Sequence, residues 1–462
     1  MATTVTLKPN AIDLSGSTSG TTTLQATAVA GTTTITLPAA TDTLVGKATT
    51  DTLTNKTLTA PVISTISNTG TLTLPTSTDT LVGRATTDTL TNKTLTSPTL
   101  TTPALGTPAS GVLTSCTGVN YDGYKNRIIN GAMVIDQRNA GASLSVANTG
   151  IYSLDRWRIS NGVSTITAQQ SSSVIPTGFG NSLGLTVSTT DNTGSHAIQQ
   201  YIEGFNTSDL GLGTASASTF TLSFWVRSSL TGLYGVGFQN SAQSRSYVGT
   251  YTINSANTWE QKSITVAGDT SGTWIGATNG IGLSLEFDLG SSSSFNQTAG
   301  SWGTVSNARR TSSCVNWANT ASATFYITGV QLEKGSTATS FDYRPYGTEL
   351  QLCQRYFWRM SGVSGGNNTF ASAMVNGTTD VRAVLTHPVP MRTTVSVSIT
   401  GTNYGYSNAG AVKTLATINA ADQTPQTVLL YSGTGTTAAT VGQAAQYVIT
   451  NVDSYISVSA EL

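Results

Sequence analysis

One stretch of this chain is written twice. Residues 33–63 read TTITLPAATDTLVGKATTDTLTNKTLTAPVI, and residues 71–100 repeat most of that as TLTLPTSTDTLVGRATTDTLTNKTLTSPTL. The offset is 37 residues, which carries Pro38 to Pro75, Gly46 to Gly83, Asn55 to Asn92 and Pro61 to Pro98. A repeat of this size marks one structural module stacked along an axis. Inside it, Thr34-Ile35-Thr36-Leu37 and Thr52-Leu53-Thr54 alternate with period two, which is a strand pattern.

The module owns little with which to build a core. Its first copy has Ile35, Leu37, Leu44, Val45, Leu53, Leu58 and Val62 as the main apolar side chains, and no aromatic residue precedes Tyr121. Burying an aliphatic side chain gives roughly 1.5–3 kcal/mol, whereas ordering one backbone residue costs about 1–2 kcal/mol. One thin apolar row per chain leaves two outcomes, disorder or several identical chains that bury the row against each other. The regular Pro and Gly breaks favour self-association, and a three-fold axis is the simplest closed arrangement. The expectation is an extended trimeric β-stalk over residues 33–120, ended by a stiff neck in which Pro98, Pro103 and Pro108 enforce an extended path. Residues 1–32, Thr/Ser/Gly-rich with weak strands at 4–7 and 22–28, read as an attachment segment.

Composition excludes several classes. Lys plus Arg equals Asp plus Glu at 22 each, so no basic field invites nucleic acid. No run approaches the roughly 20 apolar residues of a membrane span, and the first residues lack a secretory pattern. Assembly in a cytoplasm is therefore expected. Cys116, Cys314 and Cys353 form neither a disulfide framework nor a zinc pattern and read as buried small apolar residues.

From Tyr121 the composition changes: all seven Trp lie beyond it. Alternating runs at 220–226, 259–266, 281–287 and 323–332, between Gly/Ser/Asn turns, suggest a jelly-roll β-sandwich over residues 121–347. Residues 348–360 are expected to be a helix, with a capping box from Thr348 to Gln351 and Leu350, Cys353 and Phe357 on one face. It introduces a small terminal β-domain, 348–462, with strands at 380–386, 394–400, 427–431, 446–450 and 455–460.

Several chemistries are weighed on these residues. Glycoside hydrolysis needs two carboxylates roughly 5–10 Å apart. Asp155, Glu203, Glu260, Glu286, Asp288 and Glu333 are the acidic candidates, of which Glu286 and Asp288 share a strand face; a solvated strand face is the expectation. The only histidines, His196 and His387, are too few for a metal cage and read as structural. No catalytic set, metal site or cofactor is expected. Sugar binding needs an aromatic face beside amides or hydroxyls. Trp225, inside an apolar strand, is expected in the core. Trp274, Trp302 and Trp317, in Gly/Ser/Asn-rich surroundings, are candidate sugar contacts, as are Asn403, Tyr404, Tyr406 and Asn408 in an expected tip loop.

The repeat, the neck PTLTTPALGTPASGVLTSCTG, and the segments NRIINGAMVIDQRNAG, YSLDRWRI, YITGVQLEKGSTATSFDYRPYGTELQLCQRYF and ISVSAEL are similar to bacteriophage tail-fibre proteins. TLSFWVR and FYITGVQL also resemble carbohydrate-binding-module jelly rolls. The resemblance implies a homotrimer, a virion location, an N-terminal end docked to a tail or baseplate protein, and distal domains that meet a host-surface glycan or other receptor. A capsid-mounted fibre or decoration protein and a glycan-degrading tailspike are the alternatives.

Overall fold

The computed structural model describes residues 5–9, 11–15, 19–25 and, with short gaps at 148–149, 364–365, 409–410 and 433–439, residues 125–462; isolated positions at 39, 57, 59, 62, 94 and 96 are also described. The duplicated stalk and the neck expected at 33–120 therefore lie outside the described residues, those isolated positions aside. The chain divides into two compact units, Met1–Val112 and Leu113–Leu462. The described part is nearly all β, with one α-helix, and among the described residues no helix is long and apolar enough to cross a membrane.

In the first unit Val5–Lys8, Ala11–Ser15 and Thr21–Gln25 form a three-stranded antiparallel meander. Leu7 lies opposite Ile12 and Ile12 opposite Leu24, so the three make one cross-strand row. That row faces solvent in the single chain, with Leu7 77 % exposed.

The second unit begins with an antiparallel two-sheet sandwich of jelly-roll type. One sheet has six strands, ordered Glu260–Val266, Phe220–Ser228, Thr324–Lys334, Ser182–Thr189, Thr165–Ser171, Leu144–Ala147. The other has seven, ordered Trp302–Gly303, Ser246–Ile253, Gly232–Gln239, Ile281–Asp288, Ala197–Glu203, Trp157–Ser160, Ile151–Leu154. Alternate residues of each strand point inward. Phe220, Leu222, Phe224 and Val226 thus meet Tyr234, Val236, Phe238, Leu285 and Phe287 in one core with Trp157 and Trp317. Four of the expected strands are present, longer or shorter by a residue or two.

The helix is shorter than expected and differently capped. It runs Tyr346–Gln354 after Pro345, with no side-chain cap bond. The carboxylate of Glu349 instead receives Arg344 and the Asn130 N–H. Phe357–Ser361 is a strand, paired with Tyr455–Ser459. Aromatic residues fit a half-buried pleated surface, and here the cross-strand partner Tyr455–Ser459 overrides the helical period. The expected strand at 380–386 is present as Asp380–Thr386. It belongs to a seven-stranded sheet that packs with the three-stranded sheet of Phe357–Ser361, Tyr455–Ser459 and Ser396–Thr400.

Candidate functional site

The sites expected in the C-terminal part are differently placed. Tyr404 and Tyr406 do not sit on a loop. They lie on the strand Tyr404–Asn408, between neighbours on both edges, with the rings 4 % and 0 % exposed. The Tyr404 hydroxyl lies within bonding reach of two carbonyls, of Thr400 at 2.6 Å and of Tyr455 at 2.9 Å. Asn403 is exposed beside them, and Asn408 donates to the Ala444 carbonyl at 3.0 Å. Two buried rings offer no face to a ligand, so the expected loop platform is not formed. Trp317 is likewise buried, in the sandwich core against Phe325 at 6.2 Å.

Trp274 and Trp302 are placed otherwise. Both are partly exposed, and their rings meet edge to face at 5.6 Å. The Trp302 indole N–H donates to the Ala267 carbonyl at 2.7 Å, and its ring rests on Tyr247 at 5.4 Å. The Trp274 N–H points back to the Ser271 carbonyl at 3.3 Å. The loop that carries Trp274 is held by an ion pair: Arg245 grips Asp269 with two bonds of 2.7 Å, and the Asp269 side chain is 2 % exposed. That bond raises the Arg245 guanidinium further above its ordinary value. Asn240 adds a bond of 3.0 Å to the Thr273 carbonyl. Gly213, at φ +83°, completes the fit, because a Cβ there would stand 2.7 Å from the Trp274 ring.

The result is a cleft of about 240 Å³ with Trp274 as one wall and Thr207, Ser208, Thr214, Leu212, Gly211, Gly276 and Gly282 as the rest. Three hydroxyl-bearing residues line it with one indole, the Thr214 hydroxyl donating to the Gly211 carbonyl at 2.6 Å, and no charged residue lines the cavity. Sequence reading found the tryptophan but not Thr207, Ser208 or Thr214. They precede the strand Phe220–Ser228 in a run of short 3-10 turns that carries no aromatic signal.

The acidic candidates are all engaged within the chain. Glu286 and Asp288 do share the outer face of their strand, but the segment 305–310 covers it: both are 1 % exposed, Glu286 pairs with Arg309, and Asp288 lies 3.8 Å from Arg310. Glu203 holds Arg355 through two bonds of 3.0 Å. Glu260 takes Lys262 and two loop N–H groups, Glu333 takes Thr339, and Asp155 takes Gln137 twice. His196 stands between Asn161 Oδ1 at 2.9 Å and Asp191 at 3.0 Å, with the Ser164 hydroxyl at 3.4 Å. The order of groups is that of a hydrolytic triad, yet Ser164 and His196 are both fully buried, which leaves no approach for a substrate. His196 is structural.

No protein-family model matches the chain, and no curated protein matches it. Among solved structures the chain is similar to a CBM4 structure, at 15 % identity and a TM-score of 0.22 over 45 % of this chain and 98 % of that one. It is also similar to the family 11 carbohydrate-binding module of a cellulosomal cellulase of Clostridium thermocellum, at 13 % identity, TM-score 0.23, 43 % of this chain and 98 % of that one. A third likeness is to the enzymatically active domain of tailspike protein 4 of bacteriophage CBA120, at 11 % identity and TM-score 0.20, over 46 % of this chain and 22 % of that one. All three likenesses are distant.

Proposed function

We propose that this chain is an adhesin that holds a cell-surface glycan without covalent chemistry, and that it works as a homotrimeric bacteriophage tail fibre. The observation that carries the glycan reading is Trp274, an indole on a loop held by a partly buried ion pair, as the wall of an uncharged cleft lined by Thr207, Ser208 and Thr214. An indole face packs on the CH-rich face of a sugar ring, while hydroxyls set its orientation. The absence of charge in the lining suits a neutral sugar.

The fibre reading rests on the sequence resemblance and on the thin apolar rows at the N-terminal end. In the described meander, Leu7, Ile12 and Leu24 stand uncovered in the single chain, and sister copies or a tail or baseplate protein would cover them. In this reading residues 1–32 attach to the virion, 33–120 are the stalk and neck, and 121–347 and 348–462 form the distal parts. Several copies on one particle raise the effective concentration, so each cleft binds weakly and the particle binds well. No cofactor is required.

Purified chain added to a host culture should block adsorption of the particles, and a Trp274→Ala chain should need at least ten times more protein to do so. Equal blocking by both chains would dismiss the cleft. Release of reducing sugar from host envelope polysaccharide would favour a tailspike instead, and an N-terminal label at the capsid would favour a head fibre.

A further inference from the structure

The seven tryptophans fall into three groups. Trp157, Trp317 and Trp358 are buried, Trp274 lines the cleft, and Trp302 packs edge to face against it. Trp225 and Trp259 are partly exposed elsewhere, at the outer face of the six-stranded sheet. This corrects the core position expected for Trp225: Phe224 and Val226 on either side of it point into the core, so Trp225 points out.

Two glycines on that face make room for rings against the backbone. Arg227, Tyr326 and Gly184 form one cross-strand row, and Trp225 and Thr328 form the next. A Cβ on Gly184 would stand 2.7 Å from the Tyr326 ring, so the ring lies across the bare backbone. Gly329, at φ +60° beside a register shift, does the same for its neighbours. A Cβ there would meet Phe179 at 2.6 Å and the Trp225 indole at 3.0 Å. Trp259 packs edge-on to Tyr326 at 6.4 Å, and the Arg227 guanidinium sits 5.3 Å from the same ring while bonding the Asn257 carbonyl at 2.9 Å. Phe179 in turn meets Phe341 edge to face at 5.3 Å and lies tilted against the exposed Tyr343 at 5.4 Å.

Beside the rings runs a groove of about 420 Å³, lined by Gln261, Ser263, Thr339 and Ser340 with Lys262 and Ala338. Gln261 lies directly opposite Trp225 across the strand pair. The one cation in the groove, Lys262, is held by Glu260 at 2.6 Å. Outward positions of a sheet face that meets solvent ordinarily carry polar residues; on this face Thr221, Ser223, Thr328, Gln331 and Glu333 are buried against neighbouring segments, and the positions left partly open carry the Trp225 and Tyr326 rings beside the exposed Gln261. We infer that the outer face of the six-stranded sheet is a second glycan site, which takes a linear neutral oligosaccharide. Rings in successive rows meet successive sugar faces, and the groove takes the hydroxyl edge. The site shares no residue with the Trp274 cleft and stands without it.

Calorimetric titration of the full chain with maltohexaose, cellohexaose and xylohexaose tests this. At least one hexasaccharide should occupy two sites per chain. Trp225→Ala and Trp259→Ala should each weaken one site tenfold or more and leave the other, whereas Trp274→Ala should do the converse. Gln261→Ala, which removes no ring, should weaken the sheet site several-fold with an unchanged melting temperature, and so guards against a mere folding defect. Three results would overturn the inference: heat from none of the three sugars, a single site lost through Trp274→Ala alone, or a changed oligomer mass in Trp225→Ala, which would mean that another copy of the chain covers this face. Loss through Trp225→Ala alone would instead remove the Trp274 cleft and leave the sheet site.

Discussion

At the residue scale, the acidic side chains separate structure from catalysis. Glu286 is 1 % exposed and faces Arg309, itself 1 % exposed. Removing one partner of a buried pair leaves the other charge uncompensated and costs roughly 3–5 kcal/mol. Glu286→Gln should therefore lower the denaturant midpoint sharply; a fully stable variant would contradict the structural role. Asp155 gives a prediction with a pH signature. Burial pushes its carboxyl up to about 7 from 3.8, against the opposing pull of Arg138 and of the bonds from Gln137. A folded-state value raised in this way means that the group's contribution to stability is complete below about 3.8 and is lost as pH rises through about 7. Between pH 5 and 8 the melting temperature of Asp155→Asn should decline less than that of the parent chain. Equal declines would count against the assignment.

At the element scale, the distinctive sequence segments converge on one place, the seam between the sandwich and the C-terminal sheets. Arg138 and Arg156 both grip Glu461, the first at 2.6 Å. The Arg156 guanidinium lies 3.5 Å from the Tyr356 ring centroid, and that of Arg138 lies 3.7 Å from that of Phe357. Arg392 bonds the carbonyls of Ala460 and Glu461 at 2.7 and 2.8 Å, and Tyr152 bonds that of Leu462 at 3.1 Å. Glu461→Ala would strand Arg156, which is 1 % exposed, and should cost several kcal/mol, read as a lowered midpoint in a denaturant melt; an unchanged midpoint would show that the seam is not held there. These contacts give the segments around residues 126–141, 152–158, 349–357 and 456–462 a structural role in the seam.

The same scale shows what the sequence could tell. Runs such as Asp380–Thr386, with Val381, Ala383 and Leu385 inward, announce themselves by alternation. Trp225 did not: flanked by Phe224 and Val226, it read as part of a continuous apolar run, and period alone cannot tell an outward ring from a core one. Tyr404 and Tyr406 were masked by the opposite signal, since Gly and Asn beside them spell a loop until strands on both edges claim them. The hydroxyls of the cleft are contributed by fold geometry, which no local pattern encodes.

At the scale of the whole molecule, the proposal is one of many weak contacts arranged by a scaffold. An uncovered row of Leu7, Ile12 and Leu24 at one end predicts self-association. Sedimentation of the full chain should give three times the 47.8 kDa of one copy, and a stable monomer would contradict the trimer. The most direct test of the glycan claim uses fluorotryptophan labelling, which gives one fluorine resonance for each of the seven indoles. On addition of depolymerised envelope polysaccharide from a bacterium to which the particles adsorb, the resonances of Trp274 and Trp302 should move, while those of Trp157, Trp317 and Trp358 stay fixed. Seven unmoved resonances, or a shift confined to the buried three, would contradict the account.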